Sequence, residues 1–230
     1  MLTVLALLAL VLPLRAPQTP APEPQMMTYQ MVIFRAGPTT ASPSPADQQK
    51  MLDGHLANLA KLNRERVNLL YGPFTDGAGD MRGIAILDVK DGATATAHFK
   101  DDPFVKGGFM VVDARPWYGP KGWFNLPNDP PVPEPLIWGF LMRGPNTSQT
   151  AAEAAEIQKG HLSYMDSLHT QGKLVMAGPF VDNSPYRGVV VYRVASVAEA
   201  KTLAAGDPAV KAGRLVLEAR PWMTFKGILK

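Results

Sequence analysis

Apolar residues fall into short runs, and the runs recur in a fixed order. Residues 29–34, with Met31, Val32 and Ile33 at their centre, predict a β-strand by length and β-branched content. A Pro/Ser/Thr-rich loop follows over 37–45. Ser44 and Pro45 then form a helix start, a capping hydroxyl followed by proline at the first helical position. The helix runs to about Leu62, with Met51, Leu52, Leu56, Leu59 and Leu62 on one face. A second strand over 67–71 ends at Gly72-Pro73, and a third spans 84–89. Asp91 caps a short helix reaching about Phe99, and a fourth strand over 108–114 is closed by Pro116.

The second half repeats this order. Strands are predicted over 136–142, 173–177, 189–194 and 215–219. Thr150 with Glu153, and Ser196 with Glu199, have the capping-box spacing of two helix starts. Each half therefore reads β-α-β-β-α-β, the ferredoxin-like plan, an α+β fold with an antiparallel sheet and both helices on one face. The third strands, Ile84-Ala85-Ile86-Leu87 and Val189-Val190-Val191-Tyr192, are apolar on both faces. Helices cover only one face, so the expectation is that the two sheets pack against each other within the chain.

The two halves also share residues, not only pattern. Gly54-His55, Gly72-Pro73-Phe74, Asp76, Arg82-Gly83, Asp102-Pro103, Lys106, Gly108 and Arg115-Pro116-Trp117 form one series. Gly160-His161, Gly178-Pro179-Phe180, Asp182, Arg187-Gly188, Asp207-Pro208, Lys211, Gly213 and Arg220-Pro221-Trp222 form the other. One extra residue between Asp76 and Arg82 accounts for the single change of offset. The expected organisation is a leader over 1–16, a proline-rich linker over 17–27, a first repeat over 28–117, a linker over 118–135, and a second repeat over 136–230. Two copies of this length exclude a stacked solenoid.

Composition narrows the function classes. The net charge is +3 and the basic residues are dispersed, so no nucleic-acid partner is expected. There is no cysteine, hence no disulfide and no thiolate site. The apolar run 1–14 is shorter than a membrane span and has the length of a signal-peptide core. It predicts export to the periplasm or beyond, with no stable membrane span. Translation starting at Met26 or Met27 would instead leave the protein in the cytoplasm.

The repeated series selects one histidine and one aspartate per copy for chemistry. His55 lies four residues from both Met51 and Leu59, and His161 four from both Ile157 and Met165. Each ring therefore sits on or beside the apolar helix face, toward the sheet. The preceding glycine, costly inside a helix, implies that something approaches closely. Asp76 and Asp182 follow the second strands in turns. An aspartate on one ring nitrogen fixes the tautomer and prepares the other nitrogen for acid–base work. The insertion also places Asp80 near His55. The plain alternatives are core histidines and turn aspartates. Arg82 and Arg187 can hold a carboxylate, or serve equally as surface residues at the start of the third strand. Asp102-Pro103 and Asp207-Pro208 read as helix-start or turn signals. One His and one Asp per copy fall short of a metal site, and no cofactor is expected.

Together, a histidine on the first helix, Gly-Pro-Phe-x-Asp, Arg-Gly opening the third strand, Asp-Pro-Phe, and a strand ending in Pro-Trp resemble the YCII-related (YciI-like) family of the dimeric α+β barrel superfamily. The resemblance covers roughly 28–118 and 136–223. It implies ferredoxin-like units paired into a barrel, here a pseudo-dimer within one chain. It also implies a His-Asp active site, matching His55 with Asp76 and His161 with Asp182. Ala209 departs from it where Asp-Pro-Phe has phenylalanine. The functional expectation is a lyase or isomerase moving protons on a small organic acid or lactone, with Arg82 or Arg187 holding the acid. The alternative is a non-catalytic module binding a small ligand or partner. Assembly into a further homo-oligomer is compatible with either.

Overall fold

The computed structural model describes residues 25–229. The leader expected over 1–16, and the linker as far as residue 24, lie outside the described residues. Repeat 1 contains β1 (Met26–Ala36), α1 (Pro45–Arg64), β2 (Asn68–Pro73), β3 (Met81–Leu87), α2 (Gly92–Ala97), α3 (Pro103–Lys106) and β4 (Met110–Pro120). Repeat 2 contains β5 (Pro133–Arg143), α4 (Ala151–Thr170), β6 (Leu174–Pro179), β7 (Tyr186–Tyr192), α5 (Val197–Ala204), α6 (Pro208–Lys211) and β8 (Leu215–Phe225).

Each repeat forms a four-stranded antiparallel sheet, in the orders β2-β3-β1-β4 and β6-β7-β5-β8. The helices start where the sequence places them. Ser44 accepts a bond from the Asp47 amide, and Thr150 with Glu153 closes a capping box. β1 begins at Met26, within the last residues of the stretch expected as linker, and Met26 pairs with Pro120. The fourth strands outrun the prolines expected to close them. Pro116 and Pro221 lie inside β4 and β8, which are edge strands of their own sheets, where a missing N–H is tolerated.

Strand alternation divides the apolar residues between three cores. Ile84 and Ile86 point into a core shared by both sheets, while Ala85 and Leu87 point toward the helices of repeat 1. Repeat 2 does the same, with Val189 and Val191 inward and Val190 and Tyr192 under its helices. The shared core also takes Trp117, Trp138 and Trp222, each at most 1% exposed. The sheets therefore pack face to face, as their two-sided apolar strands require.

Their edges meet along two seams. Thr75 donates its amide to the Pro221 carbonyl, and Val181 donates to Pro116, both at 3.0 Å. The bridges Phe74–Trp222 and Trp117–Phe180 mark the same places. Glycine permits the approach: a Cβ on Gly72 would collide with the Met223 carbonyl oxygen, and one on Gly178 with that of Tyr118. Replacing Gly72 by Ala is expected to lower stability by about 1–3 kcal/mol through this overpacking. Urea melts of G72A and wild type, compared at equal slope, check it.

Candidate active site

The glycine before each histidine acts through close packing. A Cβ on Gly54 would sit 2.6 Å from Cγ of Pro103, and one on Gly160 would sit 3.1 Å from Cγ of Pro208. The bare backbone lets the long helix rest on the proline that opens α3 or α6. That contact sets the histidine beside the aspartate immediately before the proline. His55 Nδ1 lies 2.6 Å from Asp102 Oδ2, and His161 Nδ1 lies 2.7 Å from Asp207 Oδ2. Each histidine side chain is 13% exposed, whereas the carboxylates are closed off, at 0% and 1%.

Each carboxylate uses both oxygens. Asp102 Oδ1 accepts the Phe104 amide at 3.1 Å as the N-cap of α3, and Asp207 Oδ1 accepts the Ala209 amide at 2.8 Å. A helix cap fixes the carboxylate, and the carboxylate fixes the imidazole. With an ionised carboxylate on Nδ1, the neutral ring carries its proton there and leaves the Nε2 lone pair free.

The expected pairings of His55 with Asp76 and of His161 with Asp182 are therefore corrected. Asp76 accepts from Arg220 Nε at 2.9 Å, and Asp182 accepts from Arg115 Nη1 at 3.0 Å. Both aspartates cross the seams and bind the arginine of the opposite repeat's Arg-Pro-Trp. Asp80 is not a histidine partner either; it accepts from Arg35 Nη1 at 2.9 Å. The turn after the second strand faces the other sheet's edge rather than the repeat's own helix, so it delivers its carboxylate across the seam. Arg220 also stacks over Phe74 at 4.5 Å from the ring centre.

The signal that could have found Asp102 and Asp207 was present. Ser, Thr and Asn cap helices as well as Asp does, yet both copies use Asp. The second carboxylate oxygen has no role in the cap alone.

His55 opens onto a cavity of about 180 Å³ between α1, β2 and the end of β8. Phe34, Leu56, Leu59 and Tyr71 line it from repeat 1, and Met223 and Phe225 from repeat 2. The Tyr71 and Phe225 rings meet edge to face at 5.5 Å. Arg82 lines the same cavity, exposed, with Nη1 on the Gly79 carbonyl at 2.9 Å and no carboxylate partner among the described residues. Arg187 is the second residue of β7, half-buried. Among the described residues no group of three or more His, Asp or Glu side chains could hold a metal ion, and no helix is long and apolar enough to cross a membrane.

The YCII-related domain profile matches the sequence twice, over 27–118 and 140–226. No curated protein matches the chain. Among solved structures, a haem-binding protein from Thermus thermophilus superposes with a TM-score of 0.54 at 13% identity, covering 88% of this chain and 92% of that one. A candidate chlorite dismutase gives a TM-score of 0.56 at 11% identity over 86% and 94%. A candidate monooxygenase from Fusobacterium nucleatum gives 0.53 at 12% over 88% and 96%. At these identities the likeness concerns the fold, the paired-sheet arrangement of the dimeric α+β barrel.

The seam carboxylates carry a pH signature. Hydrogen bonding from Arg220 holds the Asp76 carboxyl below its usual range against the opposing effect of burial. At Asp182 burial pulls upward, but bonds from Ser184 and Arg115 outweigh it, and the net shift is also down. A depressed folded value stabilises the protein above the unfolded value of ~3.9, and that contribution disappears as pH falls through the folded value. The double variant Asp76→Asn, Asp182→Asn is therefore expected to be less stable at neutral pH and to decline less steeply below about pH 4. Denaturant melts at successive pH values check this.

Proposed function

Because the chain belongs to the YCII-related domain family, we propose that it is an acid–base catalyst, a lyase or isomerase, with His55 as the base and Asp102 as the residue that orients it. The carrying observation is a histidine that lines a cavity while a buried carboxylate holds its Nδ1. Nε2 takes a proton from carbon beside the carbonyl of a small organic acid or lactone. The electron pair left behind is held as an enolate, then accepts the proton at another carbon or expels a leaving group. Arg82, on the same cavity, offers its guanidinium to the substrate carboxylate. His161 with Asp207 repeats the pairing in the second copy.

Haem, which the Thermus thermophilus protein binds, does not fit this site. The cavity of about 180 Å³ is much smaller than the macrocycle.

Asparagine at position 102 separates orientation from folding. Its side-chain oxygen can still cap α3, but its amide would donate to His55 Nδ1 and favour the tautomer protonated at Nε2. D102N is expected to move His55 to that tautomer in nitrogen-15 NMR spectra and to reduce proton transfer about 10²–10⁴-fold. D76N should leave the tautomer unchanged. Solvent-deuterium exchange into small carboxylic acids and lactones, compared between wild type, H55N and D102N, provides the activity readout. Exchange no faster with wild type, H55N or D102N than without protein would turn the reading to a non-catalytic binding module.

A further inference from the structure

The two histidine sites share a backbone plan but not their walls. The repeat offset equates Leu52 with Gln158, Tyr71 with Ala177, and Phe225 with Pro120. Around His55, then, an aromatic pair closes a cleft that at His161 would have an alanine and a proline. The polar groups differ as well. In the first site, Thr224 already spends its hydroxyl on the Tyr71 carbonyl at 3.0 Å, so the other polar side chains among the lining residues are His55, Arg82 and Tyr71, set in an otherwise apolar wall.

We propose that the repeat 1 cleft selects a single-ring, apolar-bodied monocarboxylate, such as an aryl or cycloalkyl carboxylate, and that the chain binds one such molecule, at His55 and not at His161. The inference rests on the preceding assignment of this cleft as the ligand site and adds its ligand class and its stoichiometry. Size sets the first limit. A closed apolar cavity of roughly 150 Å³ accepts benzene, so about 180 Å³ suits one ring with a small substituent. Chemistry sets the second. A dicarboxylic or polyhydroxylated ligand would bury additional polar groups against Phe34, Leu59 and Phe225, which cannot pair with them. One anionic group can face Arg82, whose guanidinium has no competing carboxylate among the described residues.

The wall also makes the site a product of both repeats. Met223 and Phe225 belong to β8, which the Gly72 seam brings against β2. Repeat 1 by itself would present an open shelf.

Calorimetric titration of the full chain with benzoate tests the proposal, with cyclohexanecarboxylate, malate and benzyl alcohol as comparison probes. Histidine resonances are followed in parallel by NMR. The expected result is saturable binding of one benzoate, a shift of His55 but not His161, and malate binding at least tenfold weaker. Phe225→Ala and Tyr71→Ala should each weaken benzoate about tenfold, with Tyr71→Leu recovering part of the loss through retained bulk. Arg82→Gln should weaken benzoate and leave benzyl alcohol unchanged. Two equivalents of benzoate, a shift at His161, malate binding equal to benzoate, or no saturable binding to folded protein would each overturn the proposal. Benzoate binding without any proton exchange into acids would instead fail the catalytic reading and leave this one standing. Exchange that depends on His55 without benzoate binding would do the reverse.

Discussion

Each sheet has two apolar faces, and its own helices cover only one. The rest of the molecule follows from that. A sheet left with Ile84, Ile86 and Trp117 in water on one side would expose much of its apolar surface, and burial is worth about 25 cal/mol per Å². The second repeat supplies the cover, placing Trp138, Val189, Val191 and Trp222 in the same core. Packing two twisted sheets face to face then brings their edges together, and the edges need somewhere to put their backbone. Gly72 and Gly178 make room, and the Thr75–Pro221 and Val181–Pro116 bonds satisfy the amides there.

The seam organises charge as well as backbone. Asp76 with Arg220, and Asp182 with Arg115, are the same contact made twice, once in each direction between the repeats. Their recurrence in both copies is explained by assembly. Arg35 adds a third connection, reaching Asp80 and Asp113 within its own repeat and the Tyr186 hydroxyl across the interface at 2.6 Å. This contact has no equivalent in the other direction, since Met142 stands where Arg35 does and Met81 where Tyr186 does. The pseudo-dimer is thus asymmetric in its polar contacts as well as in its histidine clefts.

Assembly and site are coupled through β8. The strand whose Arg220 and Trp222 hold the seam continues into Met223 and Phe225, which line the His55 cavity. The histidine itself is positioned by a shorter chain of contacts: bare Gly54 against Pro103, Pro103 opening α3, and Asp102 capping it while holding the ring. Such a fixed carboxylate is suited to setting a tautomer, because it is held by backbone on one oxygen and by imidazole on the other.

The order of elements, the two-fold repetition and the need for sheet-to-sheet packing were legible in the chain, since each rests on local periodicity or on residues in register with their own copies. Ser44, Thr150 and Ser196 marked helix starts because capping is a contact between neighbours in the chain. His55 and His161 were legible as the residues to explain, and the glycine before each was legible as a mark of close approach. What came close was not legible. Asp76 is nearer to His55 in sequence than Asp102 is, and a turn aspartate after a strand looks free to fold back. It takes the packing of the two repeats to turn that loop toward the opposite sheet, where Arg220 takes the carboxylate, and to lay α3 against α1, where Asp102 meets the ring. The aromatic wall of the cavity was hidden for the same reason: Tyr71 and Phe225 are far apart in the chain, and only the joining of sheet edges makes them neighbours.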